Sequence, residues 1–336
     1  MQETSANQVD LPKTLVRGSR LLLDTNVWRY IIDCDAERKI SEAAWRAGVG
    51  IAVAPVIVQE VRALDDALLR KRILAAVCAS NRVRLLTDAL LECDEAFTDI
   101  SRHAPDLVIP IPKMQEYRRL RYDWTRKSGG FWERARCDAQ EPLSEESLRS
   151  ARSLEFAREE SRVVRKSVAQ RDPRGASAPL QSVAYEFTEP IEGFGTGTVA
   201  YWRVPSLHHF KSELAIYASP VREWLDCRLD VFELLGRPDR MNSLWLEGLT
   251  ATGMRRQWLL GAHDFLQSWR KTTPGTPRDA QLSVHLVDVD VLATSDKNLA
   301  HVVRRCNAEA PFPCAAALQL PGGTGAVEGL IRALSD

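Results

Sequence analysis

The 336-residue chain has no excess of either charge: Lys plus Arg equal Asp plus Glu at 45 each, for a formal net charge of zero. A polyanionic partner must therefore be held by a local patch, and the whole-chain charge argues neither for nor against nucleic acid. Cysteine pairs at metal-binding or redox spacing are missing. The seven cysteines (Cys34, Cys78, Cys93, Cys137, Cys227, Cys306, Cys314) are odd in number and scattered. That pattern speaks against a disulfide framework or a zinc knuckle and fits reduced core residues of a cytoplasmic protein. Histidine is scarce, and the adjacent His208 and His209 point in different directions from a helix, with no partner at ligand spacing. No apolar stretch reaches the roughly 18 to 20 residues of a membrane span. Residues 1–19 are polar, with Glu3 and Asp10 and no apolar run of signal length, and are expected to form a flexible tail.

What is present starts with Arg20-Leu21-Leu22-Leu23-Asp24-Thr25-Asn26-Val27-Trp28. An apolar run that stops at an acid followed by small polar residues reads as a buried parallel strand. Its last side chain lies at the carboxyl edge of the sheet, where open α/β sheets keep their ligands, and Thr25 or Asn26 is expected to cap the next helix. Taken alone, Asp24 reads equally as an N-cap in a strand-to-helix turn. A helix over 36–47 stops at Gly48 and Gly50. A second apolar run, Ile51 to Ala54, leads into a helix opened by Pro55 and carrying Glu60, expected to continue to Val77. Glu60 by itself reads as an ordinary exposed helix glutamate. A third strand at 82–86 and a helix from Asp88 to Ser101 complete a β-α-α-β-α-β-α order, which calls for a parallel sheet covered by helices.

The rhythm breaks at His103, and 103–277 reads as a mainly helical insertion. Its segment 117–136 mixes Arg118, Arg119, Arg121, Arg126 and Lys127 with Tyr117, Tyr122, Trp124, Phe131 and Trp132. Charge for phosphates and rings for base stacking are what a single-stranded nucleic-acid site uses; a helix with aromatics on the core and arginines in water reads the same way. A long helix is expected over 143–171. The glycines at 193, 195 and 197 fall between two β-like runs and are read as a hairpin loop, not a phosphate cradle.

The α/β pattern returns with a short helix carrying Asp279, then Asp290 to Thr294-Ser295-Asp296, which repeats the Asp24 arrangement, then a last strand and a closing helix. Asp290 reads as a strand-start residue and Asp288 as a candidate helper. Carboxylates gathered in a partly dry cleft raise each other's pKa unless a divalent cation neutralises them. Oxygen-only ligands select a hard ion, Mg²⁺ or Mn²⁺, suited to phosphoryl chemistry.

The run Leu-Leu-Leu-Asp24-Thr-Asn, the Pro-x-x-x-x-Glu60 helix, the Arg-Asp279-Ala helix and the Thr294-Ser295-Asp296 strand end together resemble the four acidic positions of the PIN domain family, in the family's order. The resemblance implies an α/β, Rossmann-like three-layer α/β/α nuclease built from 20–102 and 278–336. It implies Asp24, Glu60, Asp279 and Asp296 as catalytic, metal-binding acids, with Asn26, Thr294 and Ser295 hydrogen-bonded around them. It further implies a Mg²⁺- or Mn²⁺-dependent endoribonuclease. Its expected partners are nucleic acid, RNA first, and a protein such as an antitoxin, as in toxin–antitoxin or defence systems; no membrane is involved. Oligomeric state stays open, a homodimer included. The long 103–277 insertion is where the chain differs from small family members. Two other readings stand beside this one: a non-catalytic PIN-like scaffold that binds RNA or protein through the insertion, and an aspartyl phosphatase with Asp24 as nucleophile, whose usual second acid two residues on is here Asn26.

Overall fold

The computed structural model describes residues 15–138, 174–271 and 276–335. At its centre, β1 (Arg20–Leu23) pairs in parallel with β2 (Gly50–Val53) on one side and β6 (Val291–Thr294) on the other. Beyond them lie β3 (Val83–Arg84) and β7 (Ala316–Gln319), giving a five-stranded parallel sheet of order β3-β2-β1-β6-β7. Leu21, Leu22 and Leu23 are fully buried, as they must be in a strand covered on both faces, which is why β1 carries no polar alternation. With the helices packed on it, the sheet forms a three-layer α/β arrangement.

The chain leaves β1 through α1 (Thr25–Asp33) and α2 (Glu37–Ala47), the latter closed by Gly48 in the left-handed conformation at φ +69. After β2, α3 (Pro55–Arg62) starts on its proline. The single helix expected through Val77 is instead two. Asp66 accepts hydrogen bonds from the Leu68 and Leu69 amides and so starts α4 (Ala67–Val77) afresh. Strand β3 is shorter than the 82–86 expected, and α5 (Asp88–His103) follows it.

Between α5 and the return to the sheet come α6 (Met114–Thr125), α7 (Phe131–Arg136), an antiparallel hairpin of β4 (Ala184–Ile191) and β5 (Gly195–Ala200), then α8 (Arg203–Ala215), α9 (Pro220–Asp226), α10 (Val231–Gly236), α11 (Pro238–Ser243) and α12 (Arg255–Ser268). The glycine-rich stretch is the hairpin loop anticipated for it. Gly193 sits at φ +79, and a Cβ there would lie 1.8 Å from the Asp239 carbonyl oxygen, so the loop docks on α11 only with glycine at this position. The helix expected over 143–171 lies outside the described residues. The chain closes with α13 (Thr276–Ser283), β6, α14 (Lys297–Glu309), β7 and α15 (Thr324–Ala333).

The insertion shares its core with the sheet. Trp245, Phe265 and Leu259 of the insertion belong to the same buried cluster as Leu21, Trp28 and Leu292. Residues 15–19, expected in the tail, are tied down: Leu15 packs on the core, and Gly18 N–H donates to the Gly48 carbonyl at 2.8 Å. All seven cysteines are free, and no helix among the described residues is long and apolar enough to cross a membrane.

Candidate functional site

The sheet sets the place. From β1 the chain moves outward in one direction to β2 and β3, while β6 and β7 occupy the other side, so the order reverses between β1 and β6. The crevice at the carboxyl ends of two such strands is where doubly wound sheets bind ligands. Asp24 and Asp296 stand at that edge, immediately after β1 and two residues after β6.

Asp24 N–H donates to the Ala293 carbonyl at 3.0 Å, continuing the β1–β6 ladder one step beyond the strand. Asp24, 5% exposed, is itself the N-cap of α1, the position expected of Thr25 or Asn26: its Oδ1 accepts the Thr25 amide at 2.7 Å. Its Oδ2 accepts the Thr294 hydroxyl at 2.8 Å. That hydroxyl, fully buried, in turn accepts the Asp296 amide at 2.9 Å, so one threonine joins the two strand ends. Asp296 caps α14, with Oδ1 taking the Asn298 and Leu299 amides. Both strand-end acids are therefore caps, as their local sequence allows, and the question of chemistry turns on what else surrounds them.

Glu60 on α3 meets them through Thr25, whose hydroxyl donates to Glu60 Oε2 at 2.6 Å. Helix α13 packs against α3 and carries Asp279. No described residue donates a hydrogen bond to the Asp279 carboxylate. Burial, followed by the charges of Asp24, Asp296 and Glu60, pushes its pKa up to about 8. Asp24 is pushed up to about 6: burial raises it most, the Thr294 hydrogen bond opposes, Glu60 raises it, the Thr25 amide opposes, and Asp296 raises it further. The side-chain charges that act most on these two carboxyls are acidic. The four acids, drawn from residues more than 250 positions apart, thus sit in one another's fields.

The neighbours expected to bond around them divide. Thr294 does so; Ser295 is half-buried beside it; Asn26 is exposed on the first turn of α1. Thr25 was missed as the link to Glu60, because its partner lies 35 residues away. Asp290, the anticipated strand start, immediately precedes β6, which begins one residue later at Val291, and its Oδ2 takes the Arg20 amide at 2.7 Å. Asp288 is engaged away from the acids, by Arg256 and His285.

In the basic segment, Arg118, Arg119, Arg121 and Lys127 are exposed. The rings mostly are not. Tyr117, Phe131 and Trp132 are buried, and Trp124 lies on Phe131 with ring centroids 4.5 Å apart. Arg126 is spent on Asp123 and the Gly129 carbonyl. Tyr122 is the large exposed ring of that stretch, so a stacking platform there lacks most of its rings.

The chain matches no family model, no curated protein and no solved structure. Among the described residues no three His, Cys, Asp or Glu groups stand close enough to form a ready-made metal shell. The donor set still fits a hydrated hard cation. It is all oxygen, the charges that act most on Asp24 and Asp279 are acidic, and Mg²⁺ commonly keeps several waters and takes only one or two carboxylates.

These shifts fix a sign. Both folded pKa values lie above the ordinary 3.8, so the folded state binds the extra protons. The associated stability is complete below the ordinary carboxylate value and is lost as pH rises through about 6 for Asp24 and about 8 for Asp279. In divalent-free buffer the melting temperature is expected to fall between about pH 4 and about pH 8, and Asp279→Asn to flatten the upper part of that fall, with a gain on the order of 2 kcal/mol at the alkaline end. Added Mn²⁺ is expected to restore the wild-type loss. Thermal unfolding followed by circular dichroism across that range reads all three; an unchanged slope in the variant removes Asp279 from the shared field.

Proposed function

We propose that the chain is a metal-dependent nuclease of PIN-like fold that hydrolyses phosphodiester bonds, in RNA first. The observation that carries this reading is the convergence of Asp24, Glu60, Asp279 and Asp296 at the sheet's switch point, with Asp279 driven up to about 8 by burial and its acidic neighbours. Such a site is costly unless a cation or a proton neutralises it.

Mg²⁺ or Mn²⁺ held there supplies Lewis acidity and a bound water of lowered pKa. The remaining work belongs to the protein. Thr294 and the Thr25 amide fix both oxygens of Asp24, leaving their other lone pairs for a ligand. The Thr25 hydroxyl holds one Glu60 oxygen and so aims the other. The Asn298 and Leu299 amides hold Asp296 Oδ1 and leave Oδ2 for the cation. Asp279, to which no described residue donates a hydrogen bond and which shares the field, would be the acid to exchange its proton, released to solvent, for a bound cation.

The test is cleavage of labelled single-stranded RNA and DNA against a titration of Mg²⁺ and Mn²⁺, wild type beside Asp296→Asn. Cleavage that needs the ion and collapses in the variant supports the reading. Cleavage that persists in chelator overturns it.

A further inference from the structure

The acids repel the very polymer the proposed reaction would act on, and a metal ion offsets that repulsion only at the phosphate it touches. With a net charge of zero, the flanking phosphates need a local cation. One stands at the rim. Arg270, just past the end of α12, reaches across to α14, where its guanidinium donates to Asn298 Oδ1. The Asn298 amide is itself bound to Asp296 Oδ1, so a single asparagine separates this arginine from the strand-end acid.

One helical step along the same face stands half-buried His301. Burial lowers its basicity most; Glu309 works the other way, against three cations that lower it, Arg270, Arg305 and Arg304. Two of them are occupied: Arg305 holds Glu309 and the Ala176 and Ala178 carbonyls, and Arg304 holds Gln319. Among the described residues Asn298 is the one hydrogen-bond acceptor the Arg270 guanidinium uses, and a guanidinium has five donors arranged to grip an oxyanion.

We propose that Arg270, backed by His301, is a phosphate subsite beside the acids, taking the phosphodiester next to the one to be cleaved. The claim rests on the nuclease reading and extends it: the insertion, through the end of its last helix, supplies part of the substrate grip. The cation is set by tertiary packing of α12 on α14, independent of the basic run at 118–127.

The experiment measures binding of a fluorescein-labelled oligouridylate by anisotropy in the non-cleaving Asp24→Asn chain, with and without Arg270→Ala, over a range of salt. Arg270→Ala is expected to weaken binding about tenfold, the loss of one charge-assisted contact, and to lower the slope of log affinity against log salt by about 0.7, one single-strand phosphate contact. Arg270→Lys is expected to keep the slope while binding more weakly than arginine, because it keeps the charge and loses the fork. Mn²⁺ affinity, read by electron paramagnetic resonance, is expected to stay unchanged in Arg270→Ala. Unaltered affinity and slope overturn the subsite. So does a fall in Mn²⁺ affinity matching the fall in RNA affinity, since that marks Arg270 as a prop for Asp296 acting through Asn298. A wild-type chain that cleaves nothing, yet binds RNA through Arg270, overturns the nuclease reading and leaves the subsite standing.

Discussion

Asp24→Asn is expected to cut RNA cleavage by more than about a hundredfold, beyond the ten- to hundredfold usual for losing a residue that merely orients a metal ligand. The fold should survive the change. Asparagine's carbonyl oxygen can take one of the two hydrogen bonds that Asp24 accepts, from the Thr25 amide or the Thr294 hydroxyl, and the substitution removes a charge that burial and two acidic neighbours already oppose. Single-turnover cleavage and thermal unfolding measured on the same preparation separate chemistry from folding: activity is lost while the melting temperature holds or rises. Thr25→Val, which frees Glu60 without touching a carboxylate, is expected to cost only ten- to hundredfold. Cleavage by Asp24→Asn at the wild-type rate would mean that Asp24 does no chemistry and that the cleavage takes place elsewhere than at this site.

Arg256→Met is expected to destabilise the chain by about 3–5 kcal/mol, the usual consequence of leaving one partner of a buried ion pair alone. Arg256, 4% exposed, opens α12 and grips Asp288 with both terminal nitrogens, at 2.8 and 2.7 Å, while donating to the Val284 carbonyl at 2.8 Å. Its own amide donates to Glu95 on α5, and His285 lies 3.0 Å from the same aspartate. Burial alone would raise Asp288; the hydrogen bonds from His285 and Arg256, with the arginine's charge, overcome it and hold the carboxyl well below the usual range. A depressed aspartate contributes stability that is present above its ordinary pKa and lost as pH falls through the folded value, so this pin fails only in strong acid. The segment it secures, 284–290, joins the helix of Asp279 to the strand that ends near Asp296, and through Arg256 the insertion holds the candidate site's geometry. Urea unfolding of Arg256→Met, Asp288→Leu and the pair together gives the coupling. The double variant should recover part of the loss, since the two charges leave together and Glu95, which Arg256 also faces at 3.5 Å, keeps its ion pair with Arg255 at 2.9 Å. Equal and additive losses would show that the contact carries no special weight.

The strands that matter most were legible because they are buried on both faces and therefore apolar throughout, ended by an acid and small polar residues: Leu21 to Asp24, and Val291 to Asp296. The helix break at Asp66 was not, since Ala63, Leu64 and Ala67 keep helical spacing across a cap that competes with continuation only through one aspartate's hydrogen bonds. The segment 117–136 carried the composition of a stacking surface. Composition does not say which way a ring points, and here Phe131 and Trp132 turn to the core.

By itself, then, the sequence determined the parallel sheet, the acids at its strand ends and the interruption between them, because backbone periodicity and burial are written within a few residues of one another. Tertiary structure alone decided which groups meet: Thr25 with Glu60, Thr294 with Asp24, Arg256 with Asp288 and Arg270 with Asn298. Fields and hydrogen bonds act over a few ångströms of space, and in a chain that returns to its first strand after some 270 residues, neighbours in space leave no mark on local pattern.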